Sequence, residues 1–144
     1  MSAENKAIAR RSIEEIFNKG NLAVADELIA ANAVTHDPAD PNAGRGPQAA
    51  KEQATMYRTA FPDLHVTIDE MIAEGDKVVT RWTARGTHKG DLMGIAPTGK
   101  QVTITGITID RMTGGKAEEG WTNWDTMGMM QQLGVVQQMA AAKV

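Results

Sequence analysis

The sequence predicts an α+β fold, in which a cone-shaped, curved antiparallel or mixed sheet packs against three N-terminal helices. Apolar residues recur at intervals of three and four up to Phe61, and they alternate with polar residues after Pro62. Helices followed by antiparallel strands are typical of the α+β class. Strands of about ten residues are long enough for the sheet to curve around a cavity.

The first half of the chain predicts three amphipathic helices. The first ends at Lys19-Gly20, and the second begins with Asn21 as its cap. Pro47 suits the first turn of the third helix, which Pro62 ends, and the Pro- and Gly-rich stretch 36–47 before it is a predicted loop. The inward faces carry Ala9, Ile13, Ile16 and Phe17, then Ala25, Leu28 and Ile29, and then Ala50, Ala54, Tyr57 and Phe61.

The second half predicts four strands and a closing helix. Strands are expected from Leu64, over 78–88, over 101–111 and from Lys116 to about Asp125, with hairpin turns at 74–77 and 113–116. A helix with an apolar stripe follows from Thr126, and residues 137–144 are expected to fray. One face of the second strand carries Val78, Thr80, Trp82, Ala84 and His88, and one face of the last carries Glu119, Trp121, Asn123 and Asp125 if no bulge intervenes.

Composition excludes several classes of protein. At 144 residues, 42% hydrophobic and 23% charged, the chain is expected to be one globular domain, 1–144. It lacks both the roughly 20-residue apolar run of a membrane span and a secretion signal, so we expect a cytoplasmic protein. A net charge of −3 with scattered Lys and Arg argues against nucleic-acid binding. The absence of cysteine excludes disulfides and thiolate chemistry.

Asp125 is the main candidate for catalysis. It follows two tryptophans and precedes an apolar helical run, where desolvation would raise its pKa toward a value useful for proton transfer. The alternative is that Asp125 only caps the last helix, because Asp before an apolar-periodic run is the usual cap signature.

Two histidines and six further residues complete the predicted site. His36 borders the Pro-rich loop and His88 ends a strand, so either could reach a pocket, although a lone histidine is more often structural. The dispersed histidines lack metal-ligand spacing, and neither a metal nor a cofactor is expected. The residues predicted to contact a flat, mostly apolar ligand are Trp82, Trp121, Asn123, Tyr57, Phe61 and Met127.

Three motifs resemble the SnoaL-like polyketide cyclases, also called ester cyclases. They are "FPD" at 61–63, "THKGDLMGIAPTGK" at 87–100 and the closing "W..WD..G...QLG" from Trp121, within a likeness that runs from about Ile8 to Gly134. The resemblance implies the cone-shaped α+β barrel shared with nuclear transport factor two. It also implies ring closure by intramolecular aldol condensation without metal or cofactor, with an aspartate as acid/base.

The resemblance places Asp125 at the aspartate of the closing motif, and His36 and His88 at positions that point into the cavity. The chain departs from the family at Gly120, where relatives often carry a histidine. The expected substrate is a small hydrophobic carbonyl compound, a polyketide-type keto ester. A non-catalytic ligand-binding or dimerisation domain is the alternative, and an epoxide hydrolase is disfavoured because Thr83 stands where that family has an aspartate.

A homodimer is also expected from the third predicted strand. Val102 and Ile104 lie on one of its faces, and Thr103, Thr105, Ile107 and Ile109 on the other. One layer of helices cannot cover both faces, so one face needs a partner.

Overall fold

The computed structural model describes residues 2–136, in which four helices and a π-helical segment surround one side of a five-stranded sheet. This is the mixed α+β architecture that the sequence predicts. The predicted frayed tail, 137–144, lies outside the described residues. The helices are α1 (Ser2–Arg11), continued by the π-helical Ser12–Asn18, then α2 (Val24–Leu28), α3 (Gly46–Ala60) and α4 (Thr126–Leu133). The strands are β1 (Ile29–His36), β2 (His65–Glu74), β3 (Lys77–Thr87), β4 (Gln101–Thr113) and β5 (Lys116–Trp124).

The sheet has the strand order β1-β5-β4-β3-β2. The strands from β2 to β5 form an antiparallel meander, and both predicted hairpin turns lie where expected, between Glu74 and Lys77 and between Thr113 and Lys116. β1 pairs with β5 in the parallel direction, which makes the sheet mixed. Since β1 lies at one edge, the first strand of the chain is held in the sheet by the last.

β1 corrects the prediction for the segment after the second helix. The sequence pattern predicts helix through Ile29 followed by loop, yet α2 ends at Leu28 and Ile29 begins the strand. The segment "IAANAVTH" lacks a clean alternation of apolar and polar residues, because β1 is an edge strand and only Ala33 is buried in it.

Three clusters of buried side chains hold the sheet and the helices together. At one end, Phe61 and Leu92 pack with Met129 and Leu133 of α4, and at the other Val78 packs with residues of α1 and β4. A third cluster joins the helices to one another. The middle of the concave face, between the two end clusters, is the place left for a cavity.

The outer face of the sheet carries an apolar row that crosses four strands. Ile72 pairs with Val79, Val79 with Ile109, and Ile109 with Trp121. Ile72 and the neighbouring Ile107 are 56% and 48% exposed, whereas Val102 and Ile104 are buried on the inner face, as the strand alternation predicts. Exposed apolar area of this kind is typical of an interface.

We therefore predict a homodimer formed through the outer face. Sedimentation at micromolar concentration should give about twice the mass of the 15.5 kDa chain, and Ile107→Asp should shift it to monomer because an unpaired charge at the interface is costly to bury. A parent protein that sediments as a monomer would contradict the prediction.

Candidate active site

A cavity of about 240 Å³ lies between the concave face of the sheet and the helices. Its walls are mostly apolar, and five aromatic side chains contribute to them: Phe17 of the π-helical segment, Tyr57 of α3, Phe61 directly after α3, Trp82 of β3 and Trp124 of β5. Such a cavity, with few polar groups among apolar and aromatic walls, is typical of small-molecule sites. Tyr57, Phe61 and Trp82 line this cavity, and their contact with a ligand stays a prediction.

Trp82 fixes the arrangement of the cavity floor. Its ring lies across Gly106 of β4, where any Cβ would come within 2.3 Å of the ring, so only glycine fits opposite it. The indole Nε1 donates to Thr108 Oγ1 at 3.0 Å, and Thr108 shares a further hydrogen bond of 3.1 Å with Thr122. The inner face of three adjacent strands is thereby tied together at the centre of the floor.

Asp110 contributes a half-buried carboxyl group to the cavity wall. It lies on the inner face of β4, two residues beyond Thr108, and it borders the cavity. Its cross-strand partner is Gly120, where a Cβ would lie 3.0 Å from Asp110 Oδ1. Burial raises the pKa of Asp110 to about 6. No hydrogen bond or ion pair joins its side chain to another residue within 2–136.

A second carboxylate lies at the β1 side of the cavity. Asp37 is 5% exposed, accepts a hydrogen bond from Trp124 Nε1 at 3.3 Å and another from the Ala39 backbone N–H at 2.9 Å. Trp124 in turn packs edge-on against Tyr57, with ring centroids 6.2 Å apart. Burial, and then the charges of Asp37 and Asp40, raises the pKa of Tyr57 to about 12, so its hydroxyl remains a hydrogen-bond donor at neutral pH.

The predicted inward face of the last strand lies mostly on the outer side, although Glu119 reaches the edge of the cavity. Gly120, Thr122 and Trp124 of β5 line the cavity, whereas Trp121 and Asn123 do not. The pairing of β5 with β4 shifts register between Arg111 and Met112. The shift lies before Glu119, and Trp121 and Asn123 then pair in regular alternation with Ile109 and Ile107 of the outer face. The prediction therefore groups the two residues correctly but assigns them to the wrong face. The prediction that Trp121 and Asn123 contact a ligand in the cavity is therefore wrong in position. Met127, which is 58% exposed, also lies outside it.

Asp125 is the N-cap of α4. Its side chain is exposed, and Oδ1 accepts a hydrogen bond of 2.8 Å from the Gly128 backbone N–H. It is not among the residues that line the cavity. The predicted placement of Asp125 in a desolvated pocket is wrong, and the alternative role as a helix cap agrees with its geometry.

His36 stands on the outer side of β1. Its ring stacks on Trp121 at 5.5 Å, and Nε2 lies 2.7 Å from Glu119 Oε2. Glu119 also accepts from Arg111, and these two partners, with His36 the larger contributor, lower the pKa of Glu119. This cluster joins β1 to β5 and β4, so His36 has a position suited to a structural role.

His88 is buried behind the cavity wall. Its ring packs against Phe61 at 5.5 Å, and Nδ1 accepts a hydrogen bond of 3.2 Å from the Thr98 backbone N–H. Its own backbone N–H and C=O bond to Lys100 and Gly99. His88 thus closes the base of the loop between β3 and β4. The resemblance implies that His36 and His88 point into the cavity, but neither of them lines it.

Several polar residues of the cavity are absent from the predicted site, among them Asp37, Thr80 and Asp110. Asp37 falls within the predicted loop 36–47, and Asp110 has the sequence context of a solvated residue close to a hairpin turn. The sequence signal that could have identified Asp110 is its place in the alternation of inward and outward residues along β4. Counting by twos from the buried Val102 and Ile104 brings the inner face of β4 to Thr108 and Asp110. Within residues 2–136, no three His, Asp or Glu side chains are grouped so as to hold a metal ion.

Comparison with known proteins agrees with this architecture. The profile of the SnoaL-like polyketide cyclases matches residues 7–133. The chain belongs to this family. A search of curated protein sequences finds no match. No helix in the described part of the chain is long and apolar enough to cross a bilayer.

Solved structures of several proteins superpose on nearly the whole chain. A proposed polyketide cyclase from Acidithiobacillus ferrooxidans is 36% identical, with 94% of this chain and 97% of that one covered and a TM-score of 0.82. IdmH, a proposed polyketide cyclase from Streptomyces antibioticus, is 33% identical, with 90% and 98% covered and a TM-score of 0.78. AclR, a proposed hydroxylase from Streptomyces galilaeus, shares the fold at 24% identity, 97% and 87% coverage and a TM-score of 0.83.

The cap geometry of this SnoaL-like domain predicts the behaviour of two Asp125 variants. Asp125→Asn should keep both stability and turnover, because Asn caps as well as Asp. Asp125→Ala should lower the free energy of unfolding by about 1 kcal/mol. Thermal unfolding and turnover of a keto ester measured on both variants check this. A loss of roughly 10²- to 10⁴-fold in turnover for Asp125→Asn would instead support the acid/base role.

Proposed function

We propose that the chain is a cyclase that closes a ring by intramolecular aldol condensation on a hydrophobic polyketide-type keto ester, without a cofactor. The observation that carries the proposal is the Asp110 carboxyl, which borders an apolar cavity and whose pKa burial raises to about 6. A carboxylate with a raised pKa is a stronger base than an ordinary one, and it is still ionised at neutral pH.

The proposed reaction needs one base and good positioning. The carbon between the two carbonyls of a keto ester is already acidic, and the Asp110 carboxylate takes its proton. The carbon's electron pair then forms a C–C bond to a ketone carbon of the same molecule, and the resulting alkoxide takes the proton back from Asp110. No electrons leave the substrate, so the reaction balances without an oxidant or a reductant.

The aromatic walls support the positioning part of the proposal. Trp82 and Trp124 lie on the sheet side, and Tyr57 and Phe61 on the helix side. Flat rings packed between these walls lose much of their freedom. Holding the enolate carbon against its target carbonyl in this way supplies a large share of the rate in an intramolecular reaction.

A non-catalytic ligand-binding domain is the second candidate. The observation that favours it is the exposed position of Asp125, because the family's closing aspartate would then serve only as a cap. A ligand-binding domain does not need a buried carboxylate, however, and the unfavourable desolvation of Asp110 would then serve no function. Variants of Asp110 therefore separate the two candidates.

Asp110→Asn should lower turnover of an aromatic keto ester by roughly 10²- to 10⁴-fold, because the amide cannot take a proton. The same variant should raise the free energy of unfolding at pH 7 by about 1–3 kcal/mol, because the folded state no longer buries a charge. Product absorbance and denaturant unfolding measure the two effects. Asp76→Asn, at an exposed turn, is the matched control and should change neither. Full activity in Asp110→Asn would refute the assignment.

The raised pKa of Asp110 also predicts a pH dependence. The carboxylate is the active form, so kcat/KM should rise about tenfold per pH unit below pH 6 and level off above it. The free energy of unfolding should change with pH in the opposite direction. The folded state binds this proton more tightly than the unfolded state, so stability falls as pH rises from about 4 to about 6. Both pH dependences should be lost in Asp110→Asn. If kcat/KM of that variant still changes near pH 6, a group other than Asp110 is responsible for the change.

A further inference from the structure

Thr80 is a buried hydroxyl without a partner at the centre of the cavity floor. It lies on the inner face of β3, is 1% exposed and borders the cavity. Its Oγ1 makes no hydrogen bond to any of the residues 2–136. Buried hydroxyls in native proteins almost always have a partner, because leaving one unbonded is costly.

The neighbours of Thr80 show that this hydroxyl is a special case. Thr80 pairs across the sheet with Thr108, and Thr108 pairs with Thr122, so that three threonines form a row. Thr108 and Thr122 bond to each other, and Thr108 also accepts from Trp82. The hydroxyls of Thr108 and Thr122 therefore have hydrogen-bond partners, whereas the hydroxyl of Thr80 is left as a free donor.

We infer that the Thr80 hydroxyl binds the carbonyl oxygen of the cavity's ligand, with Asp110 beside the adjacent carbon. Asp110 pairs with Val78, so it is the diagonal neighbour of Thr80 on the inner face. Diagonal neighbours in antiparallel strands lie about 7–8 Å apart. One C=O group and its neighbouring carbon fit into that interval.

The charges around the cavity select a neutral carbonyl. Asp37, Asp40, Asp110 and Glu119 border it, and among the described residues that line it only Arg85 carries a positive charge, so acidic groups outnumber basic ones. A ligand with a free carboxylate would be repelled by these groups, whereas a ketone or an ester carbonyl accepts from Thr80 without adding charge. The ligand class is therefore a ketone or an ester on a flat apolar body.

The inference deepens the proposed function and rests on it for the chemical role of Thr80. When Asp110 takes the proton from the adjacent carbon, the electron pair moves toward the carbonyl oxygen. Thr80 donates a hydrogen bond to that oxygen and transfers no proton. A fixed donor aimed where charge develops stabilises the enolate more than the ketone.

The binding test uses acetophenone and α-methylstyrene, which have nearly the same shape and differ by an oxygen in place of a methylene group. Their dissociation constants are measured by NMR titration of the parent, of Thr80→Val and of Thr80→Ser. Comparing ratios between variants cancels the different affinity of the two probes for water. Thr105→Val, the same change on the exposed outer face of β4, is the control.

Thr80→Val should weaken the binding of acetophenone relative to that of α-methylstyrene by about threefold to tenfold, which is the effect of one neutral hydrogen bond. Thr80→Ser, which keeps the hydroxyl, and Thr105→Val should keep the parent's ratio. Thr80→Val should also melt at or above the parent's Tm, because the change removes an unbonded polar group without changing shape. An unchanged ratio in Thr80→Val, or a parent that binds neither probe, would overturn the inference.

Turnover separates this inference from the proposed function. If Asp110→Asn abolishes turnover of a keto ester while Thr80→Val leaves the probe ratio unchanged, the carbonyl site is wrong and the cyclase proposal stands. If the ratio shifts as expected but neither the parent nor any variant turns over a keto ester, the carbonyl site stands and the cyclase proposal fails.

Discussion

The packing of Trp82 across Gly106 is the contact on which the rest of the cavity depends. The indole occupies the space of a missing side chain on the neighbouring strand and donates to Thr108. This arrangement is possible only in one register of β3 against β4. A slip of the pairing by one residue would turn the side chains of the inner face to the outer face. The same register brings Thr80 and Asp110 to the floor, so the position of the polar groups follows from an apolar fit.

Gly120 repeats this relation on the next strand pair. It leaves room for the Asp110 carboxyl, and it is also the position at which the chain departs from the family's common histidine. In this protein a glycine on β5 and an aspartate on β4 together occupy space that a single longer side chain could fill. The closing motif does not identify Asp110, because Asp110 lies on β4, before that motif begins at Trp121.

Regular segments make the fold predictable from the sequence, and irregular ones limit what can be predicted of the site. Clear periodicity identifies the helices, the two hairpins and the inner face of β3 with Trp82. β1 escapes detection because an edge strand needs no alternation. The inner face of β5 is misassigned because Trp121, a large apolar residue, packs on the outer face against His36. Asp125 is ambiguous in sequence, since one signature serves both a cap and a buried acid. Only three-dimensional position distinguishes the two.

The parallel pairing of β1 with β5 has a consequence for how the chain acquires its structure. Val34 finds its partner at Glu119, at the far end of the chain, so this edge of the sheet cannot form while the chain is only partly synthesised. Pairings between such distant segments are slow to form because a long loop must first close. Until β5 arrives, Asp37 lacks its hydrogen bond from Trp124, and the cavity has one open wall. The cavity is therefore completed late in folding.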